Sequence, residues 1–545
     1  MNKPLLLSLA AATILTSSLN AESMYERIQS MELKMKQMQE ELVTLKSQDT
    51  QAVEEEEEDE TSDEENNDEG TDDEGEDSDD SEDGDDDEDE EETVEDRLAD
   101  LEESITDLNK NTNGSHLKFG VDYRFALDSL QYDMADGSRK TNNAFMTNRL
   151  WINMNWKATD NLSFSGQLAY NKAFGQRSDG NTGSSTNSGY NFENFDWIAN
   201  ENAYDDIVRV RSAYFLYKND TFLGSEIPWT FSIGRRPSTN GHLINLREDD
   251  GAASPMGHTI NVEFDGLSSK FSLEDVIGVE GMYIKLCAGR GMTNAAHKFT
   301  SAPYAGDTAA NPDIDLAGLI FVPYDDGQYA IGTQYYYASN LIDQQFDASG
   351  VPQDAFDTVG GMHSATANFT MNGIGDEWSD YLDDTFFFVS GAMSVTDPKS
   401  DQRMLYGERN NLGQFTDQPG ESKTGYSVWV GLQMPSIITE DGRWGLEWNQ
   451  GSQYWRSITY AEDTNIGSKI ATRGDAYEVY FTEPLIEDIL TFQVRATYID
   501  YKYSGSNGFF GSTTGNSQEI TSTMPNASQY VDTAQDIRFY LRYRY

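Results

Sequence analysis

The sequence predicts an all-β transmembrane antiparallel β-barrel of about sixteen strands, preceded by short coiled-coil helices and a disordered acidic segment. Three observations predict it. From residue 117 onward, apolar and polar side chains alternate with a period of two. Short and long polar links take turns between the alternating runs. Aromatic residues, 12% of the 545, gather near the ends of those runs or on their apolar face.

Composition narrows the function classes. Lys and Arg number 38 against 95 Asp and Glu, a net charge of −57, so nucleic acid is an unfavourable partner. The lone Cys287 excludes an intrachain disulfide framework, a zinc ribbon and a C-x-x-C-H haem attachment. After the first twenty residues no apolar run approaches the ~18–20 residues of a membrane-spanning helix.

Residues 1–21 read as a signal peptide: Lys3, then PLLLSLAAATIL, then a small residue at Ala21. A coiled-coil helix is expected over 22–48, where Met24, Ile28, Met31, Met35, Met38, Leu42 and Leu45 keep a 3.5-residue period. A second is expected over 93–110, on Val94, Leu98, Leu101, Ile105 and Leu108. Each is too short to be stable alone, so both need an oligomer or another surface, a trimer being preferred.

The acidic linker, 49–92, is expected to be disordered. Residues 54–92 hold 29 acidic and no basic side chains, and like charges at i,i+4 repel along any helix built from them. Asp79, Ser81, Asp83, Gly84, Asp85, Asp87 and Glu90 fall at EF-hand spacing, but Asp86 stands where that loop needs an apolar anchor. The match is read as chance. No cofactor is expected beyond weak, diffuse binding of divalent cations by residues 54–92.

The barrel is expected over 115–545. In its first strand Leu117, Phe119, Val121, Tyr123, Phe125 and Leu127 share one face, with Asp122, Arg124 and Asp128 on the other. Among the sixteen expected strands are 117–128, 144–156, 259–272, 328–338, 359–371 and 536–545. KATDN, PYDDG and EPLIEDI are the compact links. Residues 174–206, 237–258, 291–315, 395–424, 451–474 and 504–535 are the long ones, as external loops of an outer-membrane barrel would be. Trp151, Trp156, Tyr170, Tyr214, Trp229, Tyr283, Trp429, Trp444, Trp448, Tyr498 and Tyr545 are expected to form girdles at the lipid–water boundary.

If the apolar face meets lipid, parity turns Arg124, Arg149, Arg209, Arg211, Arg495, Arg538, Arg542 and Arg544 toward the lumen as a permanently charged wall. Inward Asp122, Asp128, Glu447, Glu478 and Asp500 balance it in part. The alternative is an ion-pair network that fills and stiffens the lumen.

Several blocks carry resemblances. FSIGRRPSTNG, RWGLEWNQGSQYW and GDAYEVYF, with the N-terminal heptads, resemble an uncharacterised family of Gram-negative outer-membrane, porin-like barrel proteins. The chain's aromatic end, Phe539, Leu541, Tyr543 and Tyr545, resembles the C-terminal signal of such barrels, with Tyr540 where a glycine is common. By resemblance to general porins, whose third external loop enters the pore, the loop holding Arg247, Glu248, Asp249 and Asp250 would set acids across a constriction from Arg124, Arg149, Arg209 and Arg211. Arg235 and Arg236 would stand near it. A coiled coil before a barrel is also similar to phosphate-selective porins, though no arginine ladder is evident.

No H-E-x-x-H, G-x-S-x-G or P-loop pattern occurs, and His116, His242, His258, His297 and His363 lack metal-ligand spacing. Catalysis is not expected. The leading expectation is an outer-membrane porin for passive diffusion of small hydrophilic solutes or ions. Its N-terminal region would lie in the periplasm, available for oligomerisation or for tethering to peptidoglycan. The alternative is a scaffold barrel with a plugged lumen, or a sheath for a separate electron-transfer cytochrome.

Overall fold

The structure is a computed structural model. It describes residues 118–174, 208–236, 238–292, 313–346, 352–375, 378–406, 416–459, 462, 464–505 and 517–545. The signal peptide, both coiled-coil segments and the acidic linker lie outside the described residues.

Sixteen antiparallel strands close into one barrel. In chain order they are β1 (Lys118–Met134), β2 (Arg139–Lys157), β3 (Leu162–Ala173), β4 (Arg209–Asn219), β5 (Trp229–Arg236), β6 (Phe264–Ser272), β7 (Tyr283–Met292) and β8 (Ile314–Asp325). Then follow β9 (Tyr329–Phe346), β10 (Pro352–Asn372), β11 (Phe386–Pro398), β12 (Thr424–Pro435), β13 (Arg443–Gly451), β14 (Gly474–Ile486), β15 (Leu490–Tyr501) and β16 (Val531–Arg544). Each strand pairs with its neighbours in sequence, and closure pairs β1 with β16, Arg124 opposite Arg542 and Asp128 opposite Arg538.

The dyad pattern sets the two faces. On β1 and β16, Val121, Tyr123, Ile537, Phe539, Leu541 and Tyr543 are exposed on the outer surface, while Asp122, Arg124, Asp128, Arg538 and Arg542 are buried inside. A closed sheet leaves no unpaired edge strand, so its ladder hydrogen bonds are made within the wall. Among the described residues, no helix is long and apolar enough to cross a membrane.

Three features depart from the sequence expectation. First, β1–β2 and β9–β10 are long hairpins of 17 and 19, and 18 and 21, residues. Their tips are polar, so the hydrophobic alternation fades before the pairing stops. Second, the expected strand 259–272 joins the wall only from Phe264. Its first part pairs with another loop instead: Ile260 with Ile458 and Asn261 with Thr459, in parallel. The alternation in TINVEF is real, but its partner is not the wall. Third, Trp151 and Trp429 are buried on the inner face, 4% and 0% exposed, and do not belong to a girdle. Trp156, Tyr498 and Tyr545 do lie exposed on the surface.

Candidate functional site

The inward arginines cluster because four adjacent strands carry them at matching registers. Arg149 on β2 is opposite Arg124 on β1, Arg124 is opposite Arg542 on β16, and Arg538 is opposite Arg495 on β15. Like charges directly opposite one another on a sheet repel, so the cluster needs counter-charges.

The wall supplies some of them. Asp122 lies 3.2 Å from Arg149 and accepts from Arg542 Nε at 3.0 Å, and Asp128 pairs with Arg538 at 2.6 Å. The loop between β5 and β6 supplies the rest. Its short helix α1 (Ile244–Glu248) ends at Asp249 in the left-handed region (φ 52°), which turns Glu248, Asp249 and Asp250 toward the wall. Glu248 reaches Arg495 at 2.8 Å and Arg124 at 3.4 Å, and accepts from the Tyr540 hydroxyl at 3.2 Å. Asp250 pairs with Arg542 at 2.8 Å and Arg544 at 3.3 Å, while the Glu248 carbonyl accepts from Arg542 Nη1 at 2.9 Å. Asp249 stands farther off, 3.8 Å from Arg544 and 3.9 Å from Arg443. Burial opposes the charge on Glu248, yet Arg495, Arg124 and Arg247 hold its carboxyl well below the usual carboxylate range.

These acids therefore touch the arginines directly, where the sequence reading places them across an aqueous gap. Opposite charges on a loop long enough to bend inward gain most by closing that gap completely. Two other expected members stand apart. Arg209 opens β4 and is exposed. Arg211 stacks on Trp151, at 4.2 Å from the ring centre, and pairs with Glu263 at 2.8 Å. Arg247 lies 3.4 Å from Glu248 and extends past it to Glu478, at 3.2 Å, and to the backbone carbonyl of Glu462.

That last contact joins two inward loops. The described residues of 452–473, between β13 and β14, also fold into the lumen and bury Trp455, Arg456, Ile458 and Ile470. Lys469 pairs with Glu447 at 2.6 Å and with Glu478. The Ser457 hydroxyl donates to the His258 carbonyl at 2.9 Å. The His258 ring lies 2.8 Å from Ser390 Oγ and 2.9 Å from Ser427 Oγ, edge-on to Trp429 and Trp455. Burial pushes its imidazole down to about 3, so it is neutral at ordinary pH. Apolar side chains of both loops complete the packing: Ile260, Val262 and Ile458 against Leu316, Tyr336 and Met362 of the wall, and Leu243, Ile244 and Ile470 against Phe388 and Trp429. Sequence reasoning missed the second loop, although Trp455, Ile458 and Ile470 are unusually apolar for an external connection.

Against β6–β10 the loop between β5 and β6 leaves a cavity of about 290 Å³, lined by His242, Ser254, Lys270, Tyr283, Lys285 and Asn368 among others. Among the described residues, no group of three or more His, Cys, Asp or Glu side chains is placed to hold a metal ion.

No curated protein sequence matches the chain. Solved structures with a similar fold include OmpT, an outer-membrane protein of Vibrio cholerae, at 12% identity and a TM-score of 0.39, covering 79% of this chain and 97% of that one. Salmonella typhi OmpF, in a complex with daunomycin, gives 12% identity and a TM-score of 0.42, with 79% and 98% covered. Pseudomonas putida OprB gives 11% and 0.42, with 82% and 97% covered. The family described as protein of unknown function DUF3373 matches residues 139–545, the span from the first residue of β2 to the end of the chain, and the chain belongs to that family.

Proposed function

We propose that this chain is a non-enzymatic outer-membrane channel that lets small hydrophilic solutes or ions diffuse through a lumen narrowed by its own loops. The exposed apolar outer face, Val121, Ile537, Phe539 and Leu541 among others, suits lipid, whereas the charged inner face suits water. The observation that carries the reading is the one-sided docking of the loop between β5 and β6. Ion pairs clamp it to the arginines of β15, β16 and β1, and a polar cavity remains against β6–β10. In this reading the arginine wall positions the constriction, and solute passes on the opposite side. Swelling of vesicles loaded with the full chain tests it: sugars of increasing size should enter progressively more slowly, and equal exclusion of all of them would oppose it.

A plugged scaffold is the second reading, favoured by the two apolar clusters that knit both loops to the wall. It predicts swelling only after residues 452–473 are deleted. We further propose that residues 22–110 lie in the periplasm and serve trimer formation or attachment to peptidoglycan. Stretched, the 39 residues of 54–92 reach on the order of 130 Å at ~3.3 Å each. Unchanged sedimentation with peptidoglycan after deletion of 22–110 would reject the tether.

A further inference from the structure

Every arginine of the cluster on β15, β16, β1 and β2 has a carboxylate or a backbone carbonyl against it. The opposite side of the lumen is different. Lys270 on β6 and Lys285 on β7 are directly opposed across the strand pair, so their Cβ atoms stand about 4.5–5.5 Å apart. Both line the cavity and both are half-buried. Arg236, at the end of β5, lines an adjoining pocket together with Lys285 and Cys287.

None of the three cations forms an ion pair among the described residues. Lys270 sits over the Tyr283 ring at 3.9 Å, Lys285 donates to Ser254 Oγ, and Arg236 lies over the Tyr214 ring at 5.0 Å. The carboxylate on the lining, Asp325, is turned into its own tight turn, where Oδ1 accepts from the Gly327 N–H at 3.1 Å. Placing like charges opposite one another and away from bulk water is unfavourable. Asp325 attracts Lys270 through space, but it is the one carboxylate on this lining and pairs with none of the three cations, whereas the other wall matches its arginines with acids in contact.

We infer that Lys270 and Lys285, with Arg236 in the adjoining pocket, form a subsite for a small doubly charged anion, an oxyanion or a dicarboxylate, in the cavity against β6–β10. The anion supplies counter-charge beyond the single carboxylate, Asp325, that the lining holds. Two ammonium groups on adjacent strands bridge a doubly charged ligand better than a singly charged one, and Ser254 and Asn368 add hydrogen-bonding groups on the same lining. The inference deepens the channel reading and rests on it for the ligand's route, because the subsite lies on the open side of the lumen.

Cys287, the chain's one cysteine, reports on the pocket without any engineered label. In the detergent-solubilised full chain, a methanethiosulfonate carrying a sulfonate should modify Cys287 about tenfold or more faster than one carrying a quaternary ammonium. Sulfate or succinate should slow that reaction, and whichever protects better identifies the ligand class. In K270Q/K285Q the rate ratio should fall to about one, with heat-modifiable migration on gels confirming an intact barrel. Equal rates in the native chain, protection by neither anion, or a ratio unmoved by the double substitution would each overturn the subsite. Should Cys287 resist both reagents, calorimetric titration with sulfate decides: binding that is lost in K270Q/K285Q supports the subsite, and no binding by the native chain overturns it. Selective modification in a protein that passes no solute would reject the channel and leave the subsite standing.

Discussion

Glu248 Oε1 lies 2.8 Å from Arg495 Nη1, with both side chains 1% exposed, although 247 residues separate them in the chain. This ion pair pins a loop to the inner wall, and its partners explain why the loop rests on one side. Glu248→Gln keeps the shape and removes the charge, leaving Arg495 and Arg124 short of their shared counter-ion. Breaking a buried pair in this way costs about 3–5 kcal/mol. The loop should release, and single-channel conductance should rise while the barrel stays inserted. Unchanged conductance would show that the pair does not hold the loop.

The apolar contacts of the second loop make a separate prediction. Trp455 is 0% exposed and donates from Nε1 to the Ile470 carbonyl at 2.8 Å. Truncating such a residue costs about 3–5 kcal/mol. Trp455→Ala should therefore loosen residues 452–473 and expose Arg456 and Lys469, both buried in the native fold, to trypsin. Limited proteolysis of vesicle-inserted protein checks this, with cleavage at these sites expected in the variant and resistance expected in the native chain.

His258 gives the two loops an acid sensitivity of known sign. Burial lowers its folded value to about 3 from an ordinary 6.5, so the unfolded or released state binds the proton more tightly. The stabilisation is complete above about pH 6.5 and is lost as pH falls toward 3, at roughly 1.4 kcal/mol per pH unit. Because Trp429 and Trp455 flank the ring, tryptophan emission should shift to the red on acidification through that window. The shift should be smaller in His258→Gln. Identical titrations of the two proteins would contradict the assignment.

Much of the wall was legible because the side-chain period of a strand is two and a membrane barrel shows one face to each medium. Phe539, Leu541 and Tyr543 declare the outer face of β16 as plainly as Arg538 and Arg542 declare the inner one. The inward loops were less legible, for a physical reason. Ile260–Asn261 and Ile458–Thr459 alternate like wall strands but pair with each other across nearly 200 residues, and a period of two does not say which partner a strand finds. Glu248 and Asp250 were legible as acids near a basic wall. The contact distance, which decides between a gap and a clamp, depends on the left-handed cap at Asp249 and on packing that no local pattern encodes. Lys270 and Lys285 were passed over because each looks like an ordinary polar position until the register sets them opposite one another.

The outer face carries its own test. Leu541 is 42% exposed on β16, opposite Phe125 and Phe492 on the neighbouring strands. Leu541→Arg should cost about 2–4 kcal/mol if that position sits near the middle of a bilayer, and folding yield into lipid vesicles should fall accordingly. Leu541→Phe should fold as the native chain does. Equal yields for all three would mean that lipid does not cover this face.

Whether the lumen conducts is decided by single-channel recording of the chain in planar bilayers under a potassium chloride gradient. Steady ohmic steps of small amplitude are expected, with a reversal potential displaced toward that of chloride, and larger steps once residues 452–473 are removed. Silence from both the intact and the loop-deleted chain, with the barrel shown to be inserted, would mean that the barrel is no channel.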